Sequence, residues 1–154
     1  MAIEKVIEYF GALGLQDRIK QFEVSSATVE LAAQALGCEG ARIAKTLSFL
    51  VDGSAVLIVT AGDMRIDNHK FKEIFHTKAK MLTPEQVDEL IGHSIGGVCP
   101  FAVNDGCLIY LDESLKRFEL VYPAAGNAAS AVELTPDELE KYSGSLGWID
   151  VCKA

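Results

Sequence analysis

The segment from Lys45 to Thr60 constrains the fold more than any other, because it predicts two strands joined by a tight turn. Apolar residues fall at every second position from Leu47 to Val51, and Asp52-Gly53 is a dipeptide typical of two-residue hairpin turns. The return segment from Ala55 to Thr60 is apolar at almost every position, as in strands that are buried on both faces. We therefore expect a sheet organised around this hairpin, with its second strand near the centre.

Helical periodicity and turn signals divide the rest of the chain into helices and short strands. Helices are predicted at residues 3–13, from Ser26 or Thr28 to Gly37, from Asp67 to Phe75, from Thr83 to Gly92 and from Thr135 to about Tyr142. Further strands are predicted near Phe22 and Val24, at 79–82, 107–111, 118–122 and 131–134, and at Trp148 and Ile149. The first two helices are interpreted as scaffold, and the second is expected to bury Leu31, Ala35 and Leu36. We predict one α+β domain over residues 1–154, with a mixed, largely antiparallel and partly barrel-like sheet surrounded by helices.

Length and composition fit this single domain. The 154 residues are 49% apolar and 23% charged, which is an ordinary balance for a globular protein. No apolar run approaches the ~20 residues that cross a bilayer, and the first residues lack the pattern of a signal peptide. We therefore expect a cytoplasmic protein without a membrane partner. The four cysteines form no C-x-x-C pair, and in a reducing compartment they are most simply free thiols.

The formal net charge of −8 limits the partners that this chain can bind. Non-specific nucleic-acid binding depends on Lys and Arg side chains that neutralise phosphates, so we expect no DNA partner. A short RNA end is still compatible with a local basic face in the first half of the chain. The residues of that face would be Arg42, Lys45, Arg65, Lys70, Lys72, Lys78 and Lys80. A solvated surface without a partner is the alternative interpretation of these residues.

The segment from Ser94 to Phe101, here called the glycine loop, is a candidate for displaying backbone groups to a ligand. Gly96 and Gly97 permit backbone conformations that other residues avoid, and they let another molecule approach the main chain. Pro100 then stiffens the exit from the loop. An ordinary tight turn between strands is the alternative. A second small-residue loop at 124–128 is expected to border the same cleft.

The common catalytic patterns are missing from the sequence. It contains neither a Gly-x-Gly-x-x-Gly motif nor a Walker loop, so no nucleotide cofactor is predicted. His69, His76 and His93 have no supporting acidic cluster, and we therefore predict no metal site. Cys99 as a nucleophile would need a base, for which His93 is nearest in sequence. No protease-like signature surrounds Cys99, so a thiol that lines the core is the preferred interpretation.

Four segments in order resemble the YbaK/ProX-type aminoacyl-tRNA deacylases, the free-standing relatives of the editing domain of bacterial prolyl-tRNA synthetase. They are Arg42-Ile43-Ala44-Lys45-Thr46-Leu47, Gly62-Asp63-Met64-Arg65-Ile66-Asp67, Gly96-Gly97-Val98-Cys99-Pro100-Phe101, and Gly126-Asn127-Ala128 leading to Val132-Glu133-Leu134. The resemblance rests on the order and spacing of these segments and covers residues 42–134. The flanking helices also fit the single-domain layout of that family.

The resemblance implies hydrolysis of the ester that joins a wrong amino acid to the 3′ end of a tRNA, without a metal, a cofactor or a protein nucleophile. Lys45 would be the key polar residue, and Gly96 and Gly97 would supply backbone groups and clearance. The residues implied to bind substrate are Thr46, Phe22, Cys99, Pro100, Phe101, Gly126, Asn127 and Ala128. Small-residue walls favour cysteine, alanine or serine as the amino acid removed, and tRNA(Pro) is the favoured carrier.

Two functions stay open at this point. The first is the deacylase, whose partner is the acceptor end of an aminoacyl-tRNA. The second is a catalytically silent adaptor or regulator that binds an aminoacyl end or an aminoacyl-tRNA synthetase. The acidic net charge weakens independent tRNA affinity and would make a synthetase partner useful. The loop Asn127-Ala128-Ala129 lacks the polar group that some members of the family carry, which bears on the choice of amino acid.

Overall fold

A computed structural model describes residues 2–154. Its helices are α1 (Ala2–Ala12), α2 (Val29–Leu36), α3 (Asn68–Phe75), α4 (Pro84–Gln86, continued by a π-helix at Val87–Ile91) and α5 (Pro136–Ser143). Its strands are β1 (Ile19–Gln21), β2 (Ile43–Val51), β3 (Ser54–Ala61), β4 (Arg65–Ile66), β5 (Leu108–Asp112), β6 (Tyr122–Pro123), β7 (Ser130–Val132), β8 (Trp148–Ile149) and β9 (Cys152–Lys153). Short 3₁₀ helices lie at Gln16–Arg18, Gly40–Arg42 and Glu113–Arg117. Within the described chain, no helix combines the length and apolar character needed to cross a membrane.

The predicted hairpin is confirmed and forms the centre of the fold. β2 and β3 pair antiparallel from Ala44 opposite Ala61 to Val51 opposite Ser54. Asp52 and Gly53 make the turn with φ angles of +49° and +80°, the left-handed values that a two-residue turn of this kind requires. Every residue of β3 after Ser54 is buried, as expected for a strand with neighbours on both edges and both faces.

The five-stranded sheet has the strand order β6-β2-β3-β5-β8. The predicted α+β class and the mixed sheet are confirmed. Antiparallel pairing is found in the β2–β3 hairpin and in two small sheets, β1–β7 and β4–β9. The other three pairings of the central sheet are parallel, because β5, β6 and β8 return to it through crossovers rather than tight turns. The central sheet is thus less antiparallel than the sequence suggests.

The helix boundaries follow the capping residues that the sequence offers. Thr28 and Asp67 cap α2 and α3 with side-chain oxygens that accept main-chain N–H groups. Thr83 and Thr135 each form a reciprocal capping box at the start of α4 and α5, with a proline following at the first helical position. These four predicted helix starts are confirmed.

Several predicted elements differ in the structure. The strand predicted near Phe22 and Val24 lies earlier, as β1 at Ile19–Gln21, because it is there that the chain pairs with β7. α2 fully buries only Ala32, while Leu31 is 40% exposed and Ala35 and Leu36 are half-buried, so the predicted apolar stripe is covered only in part. Residues 118–122 form only the short strand β6, with Val121 bridged to Leu134.

Residues 80–82 run along the outer edge of β2 without forming a regular strand. The Leu50 N–H donates to the Lys80 carbonyl (2.8 Å), and the Leu82 N–H donates to the Ser48 carbonyl (3.2 Å). At the start of β2 the same edge is covered by β6, which pairs with Ile43 and Ala44. From Lys45 to Leu47 this edge has no strand partner among the described residues. We call this stretch the β2 gap.

Candidate active site

A cleft of about 340 Å³ opens at the β2 gap. Its walls come from β2, from the start of α2, from the glycine loop and from the loop before β7. Most of these walls are formed by small side chains. The lining residues with direct bearing on the predicted site are Ser26, Ala27, Thr28, Lys45, Thr46, Ser48, Ile95, Gly96, Ala124 and Ser130. Both small-residue loops therefore border one cleft, as the sequence predicts, and we call it the main cleft.

The glycine loop holds its conformation through close packing against the loop at 124–128. Gly96 has a φ of +93°, and a side chain added there would meet the methyl groups of Ala27 and Ala128 at 3.6 and 3.5 Å. Gly97 lies directly on Asn127, and a Cβ at Gly97 would lie 2.6 Å from the Asn127 main-chain nitrogen. Glycine is therefore required at Gly97 by space and favoured at Gly96 by conformation.

The two glycines differ in their free hydrogen-bonding groups. The Gly97 N–H donates to the Ser94 carbonyl at 3.0 Å. Within the described residues the Gly96 N–H has no such partner, and Gly96 is the one of the pair that lines the main cleft. The geometry thus leaves Gly96 with the unpaired backbone donor and gives Gly97 the role of close packing.

Thr46 brings an unused hydroxyl to the main cleft. Its Oγ1 is buried and has no hydrogen-bond partner among the described residues. A buried hydroxyl without a partner costs about 1–3 kcal/mol, so such an atom is expected to find a partner when a ligand fills the cleft.

Lys45 lies in the β2 gap and borders two cavities. It lines the main cleft and a second cavity of about 380 Å³ on the other face of the sheet. Because side chains alternate along a strand, Lys45 shares a face with Leu47 and Phe49, which pack toward α3. The Lys45 side chain makes no hydrogen bond or ion pair with any other described residue. Its amine is therefore available to a ligand that reaches the β2 gap.

The second cavity contains two cationic side chains. Its lining residues are Lys45, Leu47, Phe49, Arg65, Ile66, Asn68, Ala79 and Met81, and we call it the Arg65 cavity. The predicted basic face is therefore realised only in part. Lys70 is occupied by Asp150 at 2.9 Å, and Arg42 lies over the ring of Phe118.

Cys99 lies beside His93, but the geometry does not activate its thiol. The two are 3.6 Å apart (Sγ to Nε2), and the His93 Nε2 lies 2.7 Å from the Phe101 carbonyl. A carbonyl only accepts, so Nε2 carries the proton and cannot take one from the thiol. Burial raises the pKa of Cys99 to about 12. Burial likewise lowers the pKa of His93, which keeps the imidazole neutral. The interpretation of Cys99 as a thiol that lines the core agrees with this geometry.

The remaining predicted substrate residues lie outside the main cleft. Cys99, Pro100 and Phe101 are buried, and the Phe101 ring packs edge-on against Phe10 at 4.9 Å between ring centroids. These three residues support the glycine loop from the core side. Phe22 contacts the residue that follows the loop at 124–128, because its main-chain N–H donates to the Ala129 carbonyl at 2.8 Å.

The second loop contributes mainly by positioning. The Asn127 side-chain oxygen accepts from the Ala129 N–H at 2.9 Å, and Gly126 has a φ of +103° that permits the turn. Ala128 faces Gly96 through its methyl group. None of these three residues lines the main cleft.

Sequence reasoning missed the contribution of α2, which it treated as scaffold. Ser26 to Val29 and Ala32 form one wall of the main cleft, and Tyr122 and Met81 complete its rim. The run Ser25-Ser26-Ala27-Thr28, small and polar before a helix start, is the signal that could have indicated this wall. The described residues contain no cluster of three or more His, Cys, Asp or Glu side chains that could hold a metal ion.

The fold and the main cleft define a single-domain α+β protein with a small cleft at an open strand edge, beside a lysine and an unpaired backbone N–H. Residues 23–142 match the family model of the aminoacyl-tRNA editing domain. The chain therefore belongs to the aminoacyl-tRNA editing domain family.

Individual relatives agree with this family. The uncharacterized protein YwhH of Bacillus subtilis (strain 168) is 51% identical over 154 residues, which are 99% of this chain and 98% of YwhH. A crystal structure described as that of a candidate trans-editing enzyme for prolyl tRNA synthetase superposes with a TM-score of 0.89 at 30% identity, covering 99% of this chain and 98% of the other. The proline–tRNA ligase of Leuconostoc citreum (strain KM20) is 33% identical over 100 residues, which are 64% of this chain and 17% of the ligase.

Proposed function

We propose that this protein is a trans-editing hydrolase that removes a small, wrongly attached amino acid from the 3′ end of a tRNA. The observation that carries the proposal is the main cleft, where Thr46 and Gly96 offer unused polar groups and Lys45 stands at the edge. The editing-domain family supports an aminoacyl-tRNA as the ligand.

The size of the main cleft favours a small amino acid. Alanine side chains at residues 27, 32, 44, 124 and 131 form much of its wall, and the volume is about 340 Å³. Cysteine, alanine and serine fit such a space. Discrimination by size alone is worth about 1–3 kcal/mol per methylene, so we expect overlapping activity on these three amino acids.

The chemistry needs little more than positioning. An aminoacyl ester is an activated bond, and fixed geometry together with stabilisation of the developing oxyanion supplies much of the rate. The Gly96 N–H would donate to the ester carbonyl oxygen as negative charge develops there. Water would attack the carbonyl carbon, the bond to the ribose oxygen would break, and the proton lost by the water would pass to that oxygen, which releases the free amino acid. A ribose hydroxyl of the terminal adenosine that attacked first would only move the acyl group along the ribose, and water would still have to complete the hydrolysis. Lys45 would hold the terminal phosphate or the carbonyl as a compact charge.

The relatives support tRNA(Pro) as the carrier. The names of the proline–tRNA ligase and of the candidate trans-editing enzyme both point to prolyl-tRNA synthesis. In this proposal the protein is cytoplasmic and acts on the acceptor end of aminoacyl-tRNA, either alone or together with a synthetase.

A panel of mischarged tRNAs tests the proposal. Cys-, Ala- and Ser-tRNA(Pro) should lose their amino acid faster than in buffer, while correctly charged Pro-tRNA(Pro) should be spared. A chelator added to the same reaction should leave the rates unchanged. Ester loss at the buffer rate on every substrate would reject the hydrolase and leave the adaptor, which a pull-down with the synthetase would then detect. Inhibition by the chelator that zinc reverses would overturn the metal-free mechanism.

A further inference from the structure

The Arg65 cavity carries two cations that make no direct ion pair within the described chain, and only a longer-range attraction links one of them, Lys45, to Asp63. Its lining includes Lys45 and Arg65 and no carboxylate. Arg65 lies directly opposite Lys153 in the β4–β9 pairing, so a third cation stands next to it. Like charges placed opposite each other on neighbouring strands are destabilising. Neither Arg65 nor Lys153 takes part in an ion pair within the described chain.

The nearby carboxylates are already committed to other groups. Asp63 binds Arg117 through two hydrogen bonds of 2.6 and 3.0 Å, which keeps the pKa of Asp63 below its ordinary value. Asp67 accepts from the main-chain N–H groups of His69 and Lys70 as the cap of α3. The cavity is thus a local basic site on a protein whose net charge is −8.

The Arg65 cavity and the main cleft adjoin each other at the β2 gap, where they share three lining residues. Lys45, Leu47 and Met81 line both, and the outer edge of β2 is unpaired between them. A single ligand can therefore place one end against Gly96 and extend past Lys45 into the Arg65 cavity. The volume of about 380 Å³ is large enough for a sugar and its phosphate.

We propose that the Arg65 cavity binds the sugar-phosphate backbone next to the aminoacylated end of the RNA, while the main cleft holds the amino acid. Arg65 is then a positioning residue, whose guanidinium matches a phosphate through paired hydrogen bonds. Lys45 stands where the two parts of the ligand meet. This inference rests on the proposed function, because it takes the aminoacyl group to lie in the main cleft.

Two substrates separate a phosphate contact from a role in the main cleft. The first is mischarged Ala-tRNA(Pro), and the second is 3′-O-alanyl adenosine, which carries the same ester without any phosphate. Arg65→Ala should raise KM about 5- to 10-fold on the tRNA and leave the adenosine ester unaffected. The slope of log(kcat/KM) against log[salt] on the tRNA should become shallower by about one unit, as for the loss of one phosphate contact. Arg65→Lys should recover part of the affinity.

Lys141→Ala is the matched control, because Lys141 is an exposed cation on α5 and lines neither cavity. If Arg65→Ala and Lys141→Ala raised KM on the tRNA equally, Arg65 would act only through the net charge of the protein, and the proposal would be overturned. Equal loss on both substrates would also overturn it, because Arg65 would then act on the fold or on the ester itself.

A binding measurement covers the case in which no substrate is cleaved. A short single-stranded RNA with the tRNA 3′-terminal sequence is titrated into the intact protein and followed by fluorescence anisotropy. Wild-type binding that weakens at least about fivefold in Arg65→Ala would support the phosphate site even if the hydrolase proposal fails. Absence of binding, or equal binding by both proteins, would overturn the phosphate site whatever the activity.

Discussion

Lys45 is the residue on which the proposed chemistry depends most. It is half-buried at the β2 gap, and its side chain makes no hydrogen bond or ion pair with the rest of the described chain. A charged side chain at a cleft without an internal partner contributes little to the stability of the fold. Its removal should therefore affect ligand binding and catalysis more than stability.

Lys45→Ala is therefore expected to separate activity from stability. We expect kcat/KM on mischarged tRNA to fall by at least about 100-fold, because a charge that stabilises the transition state is lost. The melting temperature should change by no more than about 2 °C, as for most surface substitutions. Lys45→Met serves as the companion variant, since it keeps the apolar stem and removes only the charge. Parallel loss of melting temperature and activity in both variants would make Lys45 structural.

Individual side chains were the hardest part of the site to predict. Alternation along β2 correctly groups Lys45 with Leu47 and Phe49, because a strand has a period of two. Cys99, Pro100 and Phe101 follow the glycines closely in sequence, yet they face the core, since the backbone of the loop turns at Gly96 and Gly97. No sequence pattern states which side of such a loop faces a cleft.

Among the elements, the glycine loop depends on its contact with the loop at 124–128. The close approach of Gly97 to Asn127 involves main-chain atoms, which cannot move aside as a flexible side chain can. The two loops are far apart in sequence, so this contact also fixes how the cleft walls stand relative to each other.

Gly97→Ala should accordingly destabilise the protein and reduce its activity. Overpacking at a rigid contact costs about 1–3 kcal/mol, and the displaced loop would move the Gly96 N–H away from the ester. Gly11→Ala is the matched control, because Gly11 lies in α1 and a Cβ there meets no atom within 4 Å. That change should stabilise the protein by about 0.5–1 kcal/mol through helix propensity. Urea unfolding checks both values, and similar stability of the two variants would contradict the packing described here.

The elements themselves were largely predictable because their signals are local. The Asp52-Gly53 turn and the caps Thr28, Asp67, Thr83 and Thr135 act over a few residues, and all are found where the sequence places them. The parallel neighbours of the hairpin and the Arg65 cavity depend on tertiary packing. The cavity joins β2, β4 and α3 with residues 79–81, which no local pattern connects.

At the scale of the whole molecule, buried His93 links stability to pH. Burial keeps the pKa of His93 below its ordinary value, so the folded protein takes up this proton only at lower pH than the unfolded chain does. The contribution of neutral His93 to the free energy of unfolding is therefore fully present above about pH 6.5 and is lost as the pH falls below that value. Carboxylates with lowered pKa, such as Asp63 and Glu138, stabilise the fold at neutral pH, and that contribution is lost only in more acidic solution.

His93→Gln should flatten this dependence between about pH 7.5 and 5. Glutamine retains an N–H that can donate to the Phe101 carbonyl and has no proton to gain. We expect the melting temperature of the wild type to fall more steeply over this range than that of the variant. His76→Asn controls for the loss of an exposed histidine, because asparagine tolerates the φ of +59° at that position. A slope in His93→Gln equal to that of the wild type would remove His93 as the cause.

The shortness of the β2 gap has a consequence for how this protein behaves at high concentration. An unpaired strand edge is a template on which a second polypeptide can add a strand and so begin aggregation. Here the exposed stretch runs only from Lys45 to Leu47, between β6 at one end and residues 80–82 at the other. A window of three residues is shorter than the strands that usually pair in a sheet, so it offers little template for a second chain while it leaves main-chain groups of β2 accessible.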